Sequence, residues 1–135
     1  MKKSSFLFWG LVLISITACS SNEKQGFQSV TVQEFANIIS DTTTVILVDV
    51  RTAEEYGSGH IENALNIDVK QDDFEETAIK TLPKNKTIAV YCRSGRRSRT
   101  AAELLIKKGF QKVYNLDKGI TNWLEEGREI NKPTE

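Results

Sequence analysis

An α/β fold on a mainly parallel sheet is predicted by two features of this chain. Apolar runs rich in β-branched residues, at 45–48 and 87–91, lack polar alternation, as expected for strands covered on both faces. Stretches with helical spacing lie between and around them, and strands alternating with helices build a parallel sheet. With 135 residues, 39% hydrophobic and 27% charged, the chain holds material for one such core.

The first 18 residues precede the fold. Lys2 and Lys3 lead an apolar segment over residues 6–16, followed by Thr17, Ala18 and Cys19, which is the order of a secretory signal peptide. The segment is shorter than the about 20 residues of a membrane helix. Ile16-Thr17-Ala18-Cys19 resembles a bacterial lipobox, whose cysteine is acylated and becomes the mature N-terminus. The expectation is a signal peptide over residues 1–18 and lipidation of Cys19. Residues 19–28 then form a lipidated polar tether reaching about 30 Å. The domain would be lipid-anchored to a membrane of the bacterial cell envelope, facing the periplasm.

Cleavage before Cys19 removes two basic and no acidic residues, leaving 117 residues with 16 Lys+Arg, 18 Asp+Glu and a net charge of −2. That balance argues against nucleic acid as a partner, which calls for a strongly basic face. Of two cysteines, only Cys92 then remains as a thiol, so the domain has no internal disulfide. In a compartment where disulfides form readily, a lone low-pKa thiol is a liability unless its reactivity is used.

The elements follow in order. Thr31 and Glu34 have capping-box spacing, with Val32, Phe35, Ala36 and Ile39 on one face, which predicts a helix to about Ser40. The strand at 45–48 is closed by Asp49, Val50 and Arg51. Thr52 and Glu55 repeat the capping box, opening a short helix that Gly57 and Gly59 end before His60 and Ile61. A short strand at 64–67 and a helix at 71–81 come next, the helix carrying Phe74, Ala78 and Ile79 and stopped by Pro83. After the strand at 87–91, a helix from Ser98 to Lys108 places Ala101, Leu104 and Leu105 on one stripe and is capped by Gly109. A strand at 113–115 and a helix at 120–126 that buries Trp123 complete a domain spanning 29–127. A polar tail over 128–135 is expected to fray.

Cys92 heads the turn from the strand at 87–91 into the following helix. A thiol there faces backbone N–H groups and the positive end of a helix dipole, with Arg93, Arg96, Arg97 and Arg99 adding positive charge. That predicts a stabilised thiolate beside a held anion. Sites of open parallel sheets gather outside the carboxyl ends of strands, so this loop and the Asp49–Arg51 segment are expected to face one crevice.

Three segments, in this order and spacing, resemble the rhodanese-like sulfurtransferase family in its compact single-domain form. They are Val48-Asp49-Val50-Arg51 with Glu54-Glu55-Tyr56 and Gly59-His60-Ile61; Val90-Tyr91-Cys92-Arg93-Ser94-Gly95-Arg96-Arg97-Ser98; and Tyr114-Asn115-Leu116-Asp117-Lys118-Gly119-Ile120 with Trp123. The resemblance covers about residues 28–126. It implies a rhodanese-like three-layer fold with a central mainly parallel sheet flanked by helices. It also implies that Cys92 is the catalytic nucleophile. Cys92 would attack the outer sulfur of a small anionic donor such as thiosulfate, expel sulfite and become a persulfide that a thiophilic acceptor, a small molecule or a protein thiol, discharges.

On that reading Arg93, Ser94, Gly95, Arg96, Arg97 and Ser98 form the substrate-binding loop. Its N–H groups surround the persulfide, Gly95 allows the tight curl, and Arg93 or Arg96 receives the sulfonate end. Arg97 and Arg99 are the arginines expected to serve structure. Asp49 and Arg51 are supporting residues that orient the loop or form a buried ion pair. His60 reads as a hydrogen-bonded turn residue and Trp123 as core.

One histidine and one free cysteine cannot assemble the usual nitrogen and sulfur ligands of a metal site, and no glycine-rich nucleotide fingerprint is present. The expectation is a cofactor-free reaction carried out by a monomer. Two rivals are a non-enzymatic persulfide carrier and a cysteine phosphatase. Phosphatase loops place five residues between cysteine and arginine, whereas here Ser98 takes that arginine's place and Arg97 comes one position early. The tighter cradle suits one sulfur atom better than a phosphoryl group.

Overall fold

The computed structural model describes residues 26–134. The expected signal peptide, Cys19 and residues 20–25 of the expected tether lie outside the described residues. The elements are β1 (Gln28–Val30), α1 (Val32–Ile39), β2 (Val45–Asp49), α2 (Ala53–Ser58), β3 (Leu65–Asn66), α3 (Phe74–Thr81), β4 (Thr87–Tyr91), α4 (Arg96–Lys107), β5 (Val113–Leu116) and α5 (Gly119–Glu125). The strands form one sheet in the order β1-β5-β4-β2-β3, with every pair parallel. All five strands therefore start at one end of the molecule and finish at the other.

The continuous apolar runs work as a strand covered on both faces must. Ile88, Ala89, Val90 and Tyr91 of β4 are all 0% exposed. Because successive strand side chains point to opposite faces, they divide between two cores. Val48, Ile88 and Val90 pack with Phe74 of α3 and Leu105 of α4, while Leu47, Ala89 and Tyr91 pack with Phe35 of α1 and Trp123 of α5. Phe35 meets Trp123 edge to face at 6.4 Å between ring centres. The result is three layers, helix, sheet and helix. Both capping boxes are present: Thr31 N donates to Glu34 Oε2 at 2.9 Å, and Thr52 N to Glu55 Oε2 at 3.0 Å.

Four departures from the sequence expectations have physical causes. Gln28, placed in the tether, opens β1, an edge strand whose polar residues carry no pattern and whose register comes from β5, Gln28 opposite Tyr114. Helix α4 starts at Arg96, two residues before Ser98, because Gly95 turns the chain in a left-handed conformation (φ 95°). Helix α3 starts at Phe74, with residues 71–73 in a turn. The tail is not frayed over its first residues. His60 and Asn131 exchange two backbone hydrogen bonds (2.8 and 3.0 Å), and buried Trp123 donates its indole N–H to the Glu129 carbonyl at 3.0 Å.

Candidate functional site

Cys92 lies just past β4, at the finishing end of the sheet, and its side chain is packed under the start of α4 with 1% of the residue exposed. The Gly95 N–H donates to Sγ at 3.1 Å and the Ser98 hydroxyl lies 3.3 Å from it. That hydroxyl also lies 3.1 Å from the Gly95 carbonyl, so two acceptors share its hydrogen. Burial pushes the thiol pKa up. The Ser98 hydroxyl and the backbone N–H groups of Ser98, Ser94 and Gly95 outweigh that effect, and the thiol ends below its ordinary 9.0.

What aims these N–H groups at the sulfur is α5. Ile120 N donates to the Cys92 carbonyl at 2.9 Å and Thr121 N to the Arg93 carbonyl at 3.2 Å, which holds both oxygens away from the sulfur. Only glycine permits this approach at position 119. Its φ is 66°, and a Cβ there would stand 2.3 Å from the Arg93 oxygen and 2.6 Å from the Cys92 oxygen. At Gly95 a Cβ would fall 1.9 Å from the Asp117 carbonyl. The turn after β5 and the loop after β4 are pressed backbone to backbone.

The four arginines separate into two pairs. Arg97 grips Glu55 with two hydrogen bonds of 2.8 Å, and Arg99 lies 3.8 Å from Asp117. Arg93 and Arg96 are exposed and have no acidic partner among the described residues. Arg97, a member of the substrate-binding loop and one of the two arginines expected to serve structure, spends its guanidinium fork on α2. Glu55 is the residue that sequence reasoning missed. Its carboxylate caps α2 and clamps α4 together, and the Arg97 hydrogen bonds, against burial and with help from Thr52, lower its pKa from 4.5 to about 2. A signal was present: the Thr52–Glu55 capping box places that carboxylate at the start of a helix that leaves β2, next to β4.

Asp49 and Arg51 form a buried ion pair, Nη2 to Oδ2 at 2.6 Å with Nε 3.0 and 3.1 Å from the two oxygens. Arg51 Nη2 also donates to the Gly59 carbonyl at 2.6 Å, and its guanidinium lies 5.7 Å from the centre of the Tyr91 ring. The Tyr91 hydroxyl accepts from Ile61 N at 3.0 Å. Burial and the nearby Asp49 carboxylate push that phenol far above its ordinary value. The pair thus fastens the 59–61 turn to the ends of β2 and β4, rather than binding an anion beside Cys92. His60 stacks on Tyr56 at 3.8 Å, with Nδ1 3.0 Å from the Tyr56 carbonyl, and Trp123 lies in the core.

The chain is an α/β domain with a buried thiol held by N–H groups at a helix start, at the finishing end of a parallel sheet. The Rhodanese-like domain family matches residues 31–126, and the chain belongs to that family. It is 37% identical over 95 residues to a sulfurtransferase of Allochromatium vinosum, covering 70% of this chain and 86% of that protein. It is 33% identical over 106 residues to a tRNA uridine(34) hydroxylase of Buchnera aphidicola, where it spans 32% of the relative's length. The crystal structure of a rhodanese-related protein from Thermoplasma volcanium matches with a TM-score of 0.64 and 31% identity, over 77% of this chain and 97% of that one.

Proposed function

We propose that the chain is a sulfurtransferase that takes sulfane sulfur from a small anionic donor such as thiosulfate onto Cys92 and passes it to a thiophilic acceptor. The observation that carries this reading is the pair of hydrogen bonds to Cys92 Sγ, from Gly95 N–H and the Ser98 hydroxyl, in a loop whose Arg93 and Arg96 are exposed and lack an acidic partner among the described residues. The Cys92 thiolate attacks the outer sulfur of thiosulfate. The new S–S bond forms as the old one breaks, and the electron pair leaves with sulfite. An acceptor nucleophile then attacks the outer persulfide sulfur and the Cys92 thiolate departs, so no external oxidant or reductant is needed. The loop N–H groups stabilise the charge on sulfur, and the free guanidiniums match the donor's sulfonate. Burial of Cys92 favours a donor whose reacting end is narrow. No second thiol lies among the described residues, so the acceptor comes from outside them.

The test is thiocyanate formation from thiosulfate and cyanide. Wild type should turn over and Cys92→Ser should not, while Arg93→Ala and Arg96→Ala should each raise KM about tenfold with a smaller change in kcat. A wild-type protein that loads persulfide but yields no thiocyanate points to a carrier instead. Failure to load any sulfur defeats the proposal, and Cys92-dependent hydrolysis of an aryl phosphate would replace it with a phosphatase. The order Lys2, Lys3, apolar 6–16, Thr17-Ala18-Cys19 supports a lipid-anchored protein of the cell envelope. Fatty-acid labelling should be lost in Cys19→Ala; label that persists rules the anchor out.

A further inference from the structure

The segments entering the two halves of the sheet differ in charge, lysines dominating one half although Glu75 and Glu103 also lie there. The segments entering β1, β5 and β4 are residues 26–27, 108–112 and 82–86, and the last turn of α4 descends among them. They bring together Lys84, Lys86, Lys107 and Lys112, none of which has an acidic partner within salt-bridge distance among the described residues. Lys84 lies against Gly109, which joins two of the segments. Lys108 is paired with Glu75 at 2.7 Å. The segments entering β2 and β3 carry Asp41 and Glu62 instead, under the other half of the sheet. At the lysine end Phe27, Ile106, Glu103 and Lys107 border a groove of about 290 Å³, and there the described chain begins at Gly26.

We propose that this lysine-bearing end is a docking face for a bilayer of anionic phospholipid. Its location rests on the reading of Cys19 as a lipid anchor. From Cys19 to Gly26 the chain spans at most about 25 Å. A globular domain of this size has a radius of gyration of about 13 Å, so such a tether, leaving from the lysine end, keeps that end nearest the lipid. Lysines then come within a Debye length of the surface, about 8 Å at physiological salt, where each strengthens binding to an anionic leaflet about fivefold. Asp41 and Glu62 stand off on the far half, and Phe27 and Ile106 meet the headgroup boundary. Cys92 lies at the opposite end of the strands, so the docked domain holds it on the side away from the membrane.

The test reconstitutes the full chain, produced in a bacterium, into vesicles of phosphatidylcholine alone or mixed with phosphatidylglycerol. Flotation is measured, and a membrane-impermeant amine reagent maps lysine accessibility by mass spectrometry. Labelling of Lys84, Lys86, Lys107 and Lys112 should slow at least about fivefold in the anionic vesicles only. Molar salt should reverse the protection, while Lys70 and Lys132 stay unchanged. Equal labelling in both vesicle types overturns the docking face, and flotation with both leaves the anchor standing. Flotation with anionic vesicles only, lost in the Lys84→Glu/Lys107→Glu/Lys112→Glu variant, supports the face and removes the anchor. Flotation with neither overturns both. Protection without vesicles that grows with protein concentration would put a second copy of the chain on this face and overturn the lipid assignment.

Discussion

Ser98 has its residue 0% exposed and its hydroxyl 3.3 Å from the Cys92 sulfur, where it helps the backbone N–H groups lower the thiol pKa. Hydrogen bonds to charged groups are worth about 1.5–3 kcal/mol, so Ser98→Ala should lower kcat/KM by about tenfold or more. It should also move the pH profile of Cys92 alkylation by iodoacetamide upward. An unmoved profile would show that the backbone N–H groups alone set the thiol. Cys92 was legible in the sequence because the groups that bond its sulfur are local, Gly95 and Ser98 on the turn from strand to helix, although α5 that braces the turn is distant. Arg97 and Arg99, expected to serve structure, are the two that pair, but their partners were not legible. Arg97 finds its partner 42 positions away in Glu55, a pairing that no local pattern announces.

At the scale of elements, the site is a joint between α2, α4 and the start of α5. Gly119→Ala should force α5 off the Cys92 and Arg93 carbonyls and cost about 2–4 kcal/mol, measured by denaturant unfolding. The Glu55–Arg97 clamp makes a pH-dependent contribution. Because the folded carboxyl titrates at about 2 against an ordinary 4.5, its stabilisation is complete above pH 4.5 and is lost as pH falls towards 2. Both side chains keep some contact with solvent, so the amount is about 1 kcal/mol. Glu55→Gln should flatten that part of the acid-denaturation curve; an unchanged curve means the clamp contributes nothing. The starts of α1 and α2 could be read from their own capping boxes. The start of α4 could not, since the bend at Gly95 fits against the Asp117 carbonyl from another element.

For the whole molecule, alternation of strand and helix was enough to read an α/β fold on a mainly parallel sheet, the three layers being implied by the family resemblance, whereas β1 and the tail depended on distant partners that no local pattern announces. Residues 128–131 strap the 59–61 turn to α5. Truncation after Arg128 removes the two hydrogen bonds to His60, the Trp123 acceptor and the packing of Ile130 beside Gly59. The expected loss is about 2–3 kcal/mol, or about 10 °C in melting temperature by calorimetry. An unshifted transition would mean the strap is ornamental. The pairing of the first strand with the last has its own consequence, since Ser29 lies opposite Asn115 and bonds to it across 86 positions. Whatever machine delivers this chain from its N-terminus, β1 emerges first and waits for a neighbour that arrives near the end. Nascent fragments keep an open sheet edge, and the sheet is completed only when the fifth strand slots in between the first and the fourth.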